Sequence, residues 1–323
     1  MSDKRQIVAQ AVMDGADIRE RLLASGMTPA AVDYEIKRAE ADPVVIAAQR
    51  LRRQLAKRDW TLQLQGRLAG TRADGLTIPT VANIEPQRFI DEFYAANRPV
   101  VLTGLVDHWP ALAKWTLDYL DSVVGDALVE LQAERGSAAD YEQAKDRHKR
   151  GAQFRTVTSA MRRVESSNQF YITAYNDTNN KVALAKLWDD LGPVSILRKS
   201  GGRDGFFWMG PKGTLTPFHH DLTNNLLVQV MGRKKSHLVP SWEVGRMKNS
   251  KHCFSDRSPA DWDTNDANLP PMLECTIGPG DALFLPIGWW HHVEALDHSI
   301  SMSFTNFAAD NGFFEDYPPD TRF

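Results

Sequence analysis

Apolar residues recur at steps of three and four along the first part of the chain. The stretches DIRERLLASG and TPAAVDYEIKRAEAD show this period, and Thr28 stands as an N-cap before Pro29. The next stretch carries an apolar stripe of Ile46, Leu51 and Leu55 among alternating charges. The pattern predicts a helical N-terminal region over residues 1–70, suited to dimerisation, to partner binding or to packing on a core.

From about residue 76 the pattern changes to alternating strand-like and helix-like stretches. Strands are predicted in TIPTVANI, PVVLTGLV, ALVELQAE and NQFYITAYN. Helices are predicted in EPQRFIDEFYAANR, WPALAKWTLDYLDSVVG and KVALAKLWDDLG. The interval 136–165 is polar and charged, so we expect a loop and an exposed helix there.

Beyond residue 205 short apolar stretches follow one another, separated by Gly and Pro. They are DGFFWMG, TPFHHDLT, NLLVQVMG, KKSHLVP, LECTIGPG, DALFLPIGW, HHVEALD and SISMSFTNF. This spacing is typical of a β-sandwich or barrel, and MGRK and GPGD are predicted as hairpin turns. The fold class is therefore mainly β with helices (α+β), with one domain over residues 76–323.

Composition narrows the function classes. The 323 residues carry a net charge of −3 and a pI near 6.3, which argues against nucleic acid or an anionic membrane as partner. A local basic run, RLRRQLAKR, is the exception. Cys253 and Cys275 are the two cysteines, so a disulfide framework is not expected. Without an apolar leader or a long apolar run, we expect a cytoplasmic protein.

The stretch TLTPFHHDLTNN holds the first candidate chemistry. Residues two apart on a strand share a face, so His219 and Asp221 point together while His220 points away. A third ligand is available from His291 or His292, between which alternation does not choose. Two histidines and a carboxylate form the facial triad of non-heme Fe(II) oxygenases. An isolated HxD pattern usually does not mark a metal site. Here the barrel-like series of strands and the second histidine pair favour one.

A lysine pair after the MGRK turn is the second candidate feature. A lysine buried opposite a metal needs an anionic partner, which a dicarboxylate cosubstrate supplies. The alternative is that the side chains of Lys234 and Lys235 are both exposed to solvent on a turn. Alternation indicates that one points inward and the other outward, without saying which.

Three long segments together resemble a known family. GTLTPFHHDLTNNLLVQVMGRKKSHLVP, IGPGDALFLPIGWWHHVEAL and SISMSFTNF resemble the cupin-like JmjC 2-oxoglutarate oxygenases. The similarity is greatest to the branch of the asparaginyl hydroxylase that inhibits hypoxia-inducible factor. It covers roughly residues 78–307, and NRPVVLTGLVDHWPALAKW resembles the family's opening segment. It implies a double-stranded β-helix (cupin, jelly-roll) core.

The resemblance implies a metal centre. His219 and Asp221 match the family's HxD ligands of Fe(II), and His291, the first of its pair, matches the distal histidine. Thr305 and Phe307 depart from the pattern, because the asparaginyl hydroxylase has an asparagine and a tryptophan there. These departures affect the details of the cosubstrate pocket and leave the metal ligands unchanged.

The resemblance also implies a 2-oxoglutarate pocket. Thr216 and Lys234 match the groups that grip the far carboxylate of 2-oxoglutarate. Asn225 matches an asparagine beside the cosubstrate, and Tyr171 is a further hydroxyl contact. Gln229 shares the strand face of Asn225 by alternation, which brings it towards the same pocket.

These roles imply an Fe(II)- and 2-oxoglutarate-dependent dioxygenase. The family acts on protein or peptide side chains, and the branch favours hydroxylation over demethylation. Three alternatives stay open: a hydroxylase of a small-molecule metabolite, a metal-binding cupin that does not use 2-oxoglutarate, and a non-catalytic scaffold. The substrate is thus a peptide, a protein or a small molecule, and a homodimer through the N-terminal helices is one further partner.

Overall fold

The computed structural model describes residues 4–136, 145–200, 202–249, 251–263, 266 and 269–318. The chain forms two compact units, Met1–Thr71 and Arg72–Phe323. Within the described residues, no helix has both the length and the apolar character needed to cross a membrane. Cys253 and Cys275 are not joined by a disulfide.

The first unit is helical, as its periodicity predicts. Its helices are α1 (Lys4–Asp14), α2 (Ile18–Ala24), α3 (Pro29–Ala39) and α4 (Pro43–Gly70). Asp17, Thr28 and Asp42 each cap a helix by accepting a backbone N–H. The unit has its own apolar core of buried side chains, namely Val8, Val12, Leu22, Val32, Ala39 and Val45.

The apolar stripe of α4 lies largely outside that core. Ile46 and Leu51 are exposed and Leu55 is half-buried, whereas Val45 is the buried residue of this helix. This stripe is not covered by the core of its own unit, and a role for it in dimerisation stays a prediction.

The second unit contains all the strands in the described part of the chain. They are β1 (Thr80–Ala82), β2 (Val100–Thr103), β3 (Leu128–Ala133), β4 (Lys149–Gln153), β5 (Phe170–Tyr171), β6 (Phe206–Gly210), β7 (Leu215–His220), β8 (Asn225–Met231), β9 (Lys234–Val239), β10 (Leu273–Ile277), β11 (Ala282–Leu285), β12 (Trp290–Ala295) and β13 (Ser299–Phe304). The helices are α5 (Pro86–Phe89), which continues as a π-helical turn (Ile90–Tyr94), α6 (Ala111–Lys114), α7 (Leu117–Val124), α8 (Lys145–His148), α9 (Phe154–Arg163) and α10 (Asp177–Ala183). All eight strands predicted beyond residue 205 are present.

Two sheets form the β-sandwich. One has the strand order β1-β2-β11-β8-β13-β6 and the other β10-β9-β12-β7, while β4-β3-β5 make a smaller third sheet. Apart from the parallel pair β1–β2, neighbouring strands are antiparallel. Leu227 and Leu283 from the first sheet pack against Leu238 and Ile277 from the second. The architecture is the expected cupin-like jelly roll with N-terminal helices.

The predicted hairpins at MGRK and GPGD are wrong. β8 pairs with β11 and β13, whereas β9 pairs with β10 and β12, so each turn carries the chain from one sheet to the other. Both turns are tight: Gly232 has φ 70° and Gly280 has φ 93°, in the left-handed region that favours glycine. Alternation cannot distinguish these crossovers from hairpins, because it reports the face of a residue and says nothing about its partner strand.

The described residues of the interval 136–165 include a strand that the sequence does not predict. Residues 149–153 form β4, and α9 buries Phe154, Val157 and Met161 on one face. The polar and charged composition of the interval predicts an exposed helix, but one face of the helix is buried. Part of the predicted loop, residues 137–144, lies outside the described residues.

Two other elements are shorter than predicted. In NQFYITAYN only Phe170–Tyr171 is strand, because Thr173 starts a 3₁₀ turn at Ala174–Asn176. The predicted helix KVALAKLWDDLG overlaps the end of α10 and continues as a 3₁₀ turn, Ala185–Asp190.

Candidate metal centre

Three potential ligands meet where β7 and β12 lie side by side. His291 stands directly opposite His219 in the antiparallel ladder, and the two ring centroids are 4.2 Å apart. Asp221 follows the last residue of β7, and its carbonyl accepts a hydrogen bond from Gly288 N at 3.2 Å. His219 Nε2 lies 3.6 Å from Asp221 Oδ1, and His291 Nε2 lies 3.8 Å from Oδ2. One ligand atom from each residue fits within a span of 4.8 Å.

Hydrogen bonds set the tautomer of both imidazoles. His219 Nδ1 is 2.9 Å from the carbonyl of Pro217, and His291 Nδ1 is 2.9 Å from the carbonyl of Trp289. A carbonyl only accepts, so each neutral ring carries its proton on Nδ1 and turns the Nε2 lone pair towards Asp221. Such outer hydrogen bonds orient metal-ligating histidines generally. The donor set therefore fits a divalent first-row metal ion.

The charge states of the candidate ligands also suit a divalent metal ion. Burial and, to a lesser extent, the neighbouring His219 together lower the pKa of His291 to about 4, although Asp221 opposes the shift. For Asp221, burial raises the pKa, but the imidazoles of His291 and His219 and the amide of Asn225 outweigh it, so the net pKa is lowered. Near neutral pH the site therefore offers a neutral His291 imidazole and an ionised carboxylate.

Asn225 and Asp221 form a hydrogen-bonded pair at the start of β8. Asn225 Nδ2 donates to Asp221 Oδ2 at 3.0 Å, which fixes the carboxylate plane. Asn225 Oδ1 is buried and accepts no hydrogen bond from any residue that the structure describes. A buried acceptor of this kind suits a bound ligand that donates or a bridging water.

A β-bulge turns Thr216 into the same cavity. On β12 one residue lies between His291 and Val293, but on β7 two residues lie between their ladder partners, His219 and Thr216. The extra residue on β7 reverses the alternation, so Thr216 and His219 line one face. Pro217 lies inside the bulge, where the missing N–H costs no ladder hydrogen bond.

Lys234 is the inward member of the lysine pair. Its side chain is 2% exposed, and Nζ donates to Tyr171 Oη at 3.0 Å. The ammonium also lies 5.9 Å from the ring centre of Trp208. Burial lowers the pKa of Lys234 to about 7. Lys235 points outward and pairs with Glu274 at 2.8 Å, which answers the question left by alternation.

A single cavity joins these groups. All the candidate site residues of the sequence analysis line it: Thr216, His219, Asp221, Asn225, Lys234, His291 and Tyr171. It also contains side chains that sequence reasoning missed, namely Trp208, Leu227, Leu285, Val293 and Ser303. Alternation from Asn225 indicates Leu227, but nothing in the sequence pattern shows which sheet faces supply the others.

Other conspicuous residues lie outside the cavity. His220 packs edge-on against Trp290, and His292 stands 5.6 Å from Phe218, both on the outer face of the sheet as alternation predicts. Gln229 does not reach the cavity, because its amide donates to the carbonyls of residues 231 and 232. Phe307 is also elsewhere, in an aromatic cluster with Phe89, Tyr94 and Phe284.

A larger cavity of about 750 Å³ opens elsewhere on the second unit. It is lined by charged side chains such as Lys186, Asp189 and Arg203, and it shares no described residue with the metal centre. Size alone does not make it the candidate site, since its polar groups do not converge as the three ligands do.

Comparison with known proteins places the site within a family. The family model described as a cupin-like domain matches residues 86–309, most of the second unit and all of its candidate ligands. The chain belongs to the cupin-like domain family. In this cupin-like domain the matched residues also include Tyr171, Thr216 and Lys234.

Curated relatives of the cupin-like domain carry demethylase names. The chain is 28% identical over 240 residues to lysine-specific demethylase 8 of Xenopus tropicalis, covering 68% of this chain and 50% of that protein. It is 31% identical over 229 residues to lysine-specific demethylase JMJ30 of Arabidopsis thaliana, covering 67% and 51%. Arginine-specific demethylase JMJ22 of Arabidopsis thaliana is 28% identical over 254 residues, covering 74% and 47%. The chain spans about half the length of these relatives.

Proposed function

We propose that the chain is an Fe(II)- and 2-oxoglutarate-dependent oxygenase that modifies a protein or peptide side chain. The observation that carries the proposal is one cavity lined by both a His₂Asp donor set and the buried ammonium of Lys234. A dicarboxylate that chelates a metal through one end presents its other carboxylate to such a group. The family match and the JmjC relatives support the same cofactors.

In this proposal each cavity residue has a role. His219, Asp221 and His291 hold Fe(II), and their outer hydrogen bonds keep both Nε2 atoms aimed at it. Thr216 and Lys234 bind the far carboxylate of 2-oxoglutarate through their hydroxyl and ammonium groups.

The remaining lining residues support these contacts. Tyr171 holds the Lys234 ammonium in place, and Asn225 orients the ligand carboxylate. Leu227, Leu285 and Val293 present an apolar wall that keeps water out of the cavity. When bound, Fe(II) and 2-oxoglutarate would supply the electrons that activate O₂: one oxygen atom would enter succinate, with loss of CO₂, and the other a substrate C–H bond.

Hydroxylation is the primary reaction, and demethylation is the second candidate. The motifs resemble a hydroxylase branch, whereas the curated relatives are named for lysine- and arginine-specific demethylation. Both outcomes follow from one C–H hydroxylation, because a hydroxylated N-methyl group is lost. Those names favour a protein substrate and lend no support to a small-molecule metabolite. A homodimer and a cytoplasmic location stay predictions of the sequence.

Succinate formation from 2-oxoglutarate tests the proposal. We expect turnover that requires Fe(II) and falls by at least about 10²-fold in His219→Ala, because a ligand is lost. His220→Ala is the matched control: it removes the adjacent, outward-facing imidazole and is expected to keep the activity. Folding of both variants is checked by circular dichroism. Equal turnover by His219→Ala and the unaltered chain would make the ligand assignment wrong.

Mass spectrometry of candidate peptides separates the two reactions. Hydroxylation adds one oxygen atom to the peptide, whereas demethylation removes a methyl group from methyl-lysine or methyl-arginine. A change in a metabolite and in no peptide would instead favour the small-molecule alternative.

A further inference from the structure

The outer edge of β7 is occupied by a segment of the long β9–β10 connection. β7 is the last strand of its sheet, and two backbone hydrogen bonds join it to residues 253–255. Cys253 O accepts one at 3.0 Å, and Ser255 N donates the other at 2.9 Å. Between them Phe254 forms an antiparallel bridge directly opposite His219. Directly opposed residues of an antiparallel pair place their side chains on the same face.

The imidazole of His219 is consequently packed on two sides. On one side the ring of His291 lies 4.2 Å away, centre to centre. On the other side Phe254 is stacked at 6.0 Å with 29° between the ring planes. The hydrogen bond from Nδ1 to Pro217 fixes one atom of the imidazole, and the phenyl ring restrains the tilt of its plane.

The segment that carries Phe254 is itself firmly held. Asn249 Nδ2 donates to the carbonyls of His252 and Phe254 at 2.7 and 2.8 Å. Phe254 N donates to Lys251 O at 2.9 Å, which closes a tight turn. Tyr317 Oη donates to His252 O at 2.9 Å and ties the turn to the C-terminal segment.

We propose that Phe254 is a positioning residue for the metal ligand His219, an inference that rests on the proposed metal centre. A phenyl ring has no lone pair, so it neither binds the metal nor competes for the Nε2 atom. Its packing against the imidazole holds the Nε2 direction and keeps water from that side of the ligand. The connection between β9 and β10 is thereby part of the metal centre.

Titration with Co(II), followed by its visible absorption, tests this role on the whole chain. Phe254→Ala is expected to weaken Co(II) binding about tenfold and to change the absorption spectrum, as loss of an outer support of a ligating histidine does. Phe254→Tyr retains the stacked ring and is expected to show the Co(II) affinity and the absorption spectrum of the unaltered chain. Phe254→Leu keeps apolar volume without the ring; it serves if the alanine variant does not fold, and is expected to show the changed spectrum.

Trp262→Ala is the control for general loosening of the connection. Trp262 packs on Phe218, on the sheet face away from the metal centre, so its variant is expected to keep the Co(II) affinity and spectrum. Equal loss in Trp262→Ala and Phe254→Ala would overturn the positioning role. So would an unchanged spectrum with affinity within about twofold in Phe254→Ala. Absence of Co(II) binding by the unaltered chain would instead contradict the proposed metal centre itself.

Discussion

The buried ammonium of Lys234 is the single residue that most strongly favours an anionic ligand for the cavity. No carboxylate of the described residues lies within ion-pair distance of it, and the phenol of Tyr171 is its one hydrogen-bond partner there. Desolvation is what lowers its pKa to about 7. An anion bound in the cavity reverses that effect, because an adjacent negative charge favours the protonated form. We therefore expect Lys234 to be charged in the proposed complex and, with a pKa of about 7, partly neutral without the anion.

The affinity for 2-oxoglutarate is therefore expected to fall as pH rises. Because burial lowers the lysine pKa to about 7 in the free protein, the ammonium is mostly present at pH 6 and mostly lost at pH 8. With Lys234 charged in the complex, the dissociation constant is expected to be about tenfold larger at pH 8 than at pH 6. Calorimetric titration in the presence of Mn(II) measures it.

Two variants sharpen the pH experiment. Lys234→Met is expected to bind weakly at every pH, whereas Lys235→Met keeps the pH dependence, since Lys235 points outward to Glu274. A dissociation constant that does not change between pH 6 and pH 8 would contradict the role of the Lys234 ammonium.

Sequence alone predicts much of this site, and the reason is strand geometry. Alternation correctly separates His219 and Asp221 from His220, because a side chain on a strand has only two faces to choose from. It fails at Thr216, which strict alternation places on the face of Phe218, because the bulge in β7 depends on pairing with β12. The family resemblance identifies Thr216 as a site residue, because the resemblance rests on whole matching segments and does not depend on strand geometry.

At the scale of elements, the turn between β8 and β9 determines where Lys234 enters the cavity. Gly232 has φ 70°, and a Cβ added there would lie 2.1 Å from the carbonyl oxygen of His298. Neither the backbone angle nor the space suits another residue. The positions of the strands can be predicted because each strand carries its own apolar pattern. The crossover between the two sheets cannot be predicted in this way, because it depends on contacts between distant segments.

Gly232→Ala is expected to destabilise the protein by at least about 2 kcal/mol, since it combines left-handed strain with a backbone clash. Gly151→Ala is the matched control in β4, where an added Cβ meets no atom within 4 Å. Its effect is expected to stay within about 0.5 kcal/mol. Urea unfolding followed by tryptophan fluorescence measures both. Equal stability of the two variants would show that the crossover turn tolerates a side chain.

At the scale of the whole molecule, the proposed chemistry belongs to one unit. Every residue that lines the cavity falls within Arg72–Phe323, and the family match lies inside the same unit. The helices of the first unit pack around a separate apolar cluster. The sequence predicts a boundary near residues 70–76, because the helical period gives way there to strand-like periods, and this domain assignment stays a prediction.

Removal of residues 1–71 is accordingly expected to leave Co(II) and 2-oxoglutarate affinities unchanged within about twofold, because no ligand or cavity residue is lost. Side-by-side titration of the full chain and of residues 72–323 measures this. Turnover on a protein substrate is measured for the same two proteins and compared with the affinities. If affinities hold while that turnover falls, the N-terminal helices contribute to substrate binding. If the affinities themselves fall tenfold or more, the metal centre depends on the first unit, and the assignment of its chemistry to one unit is wrong.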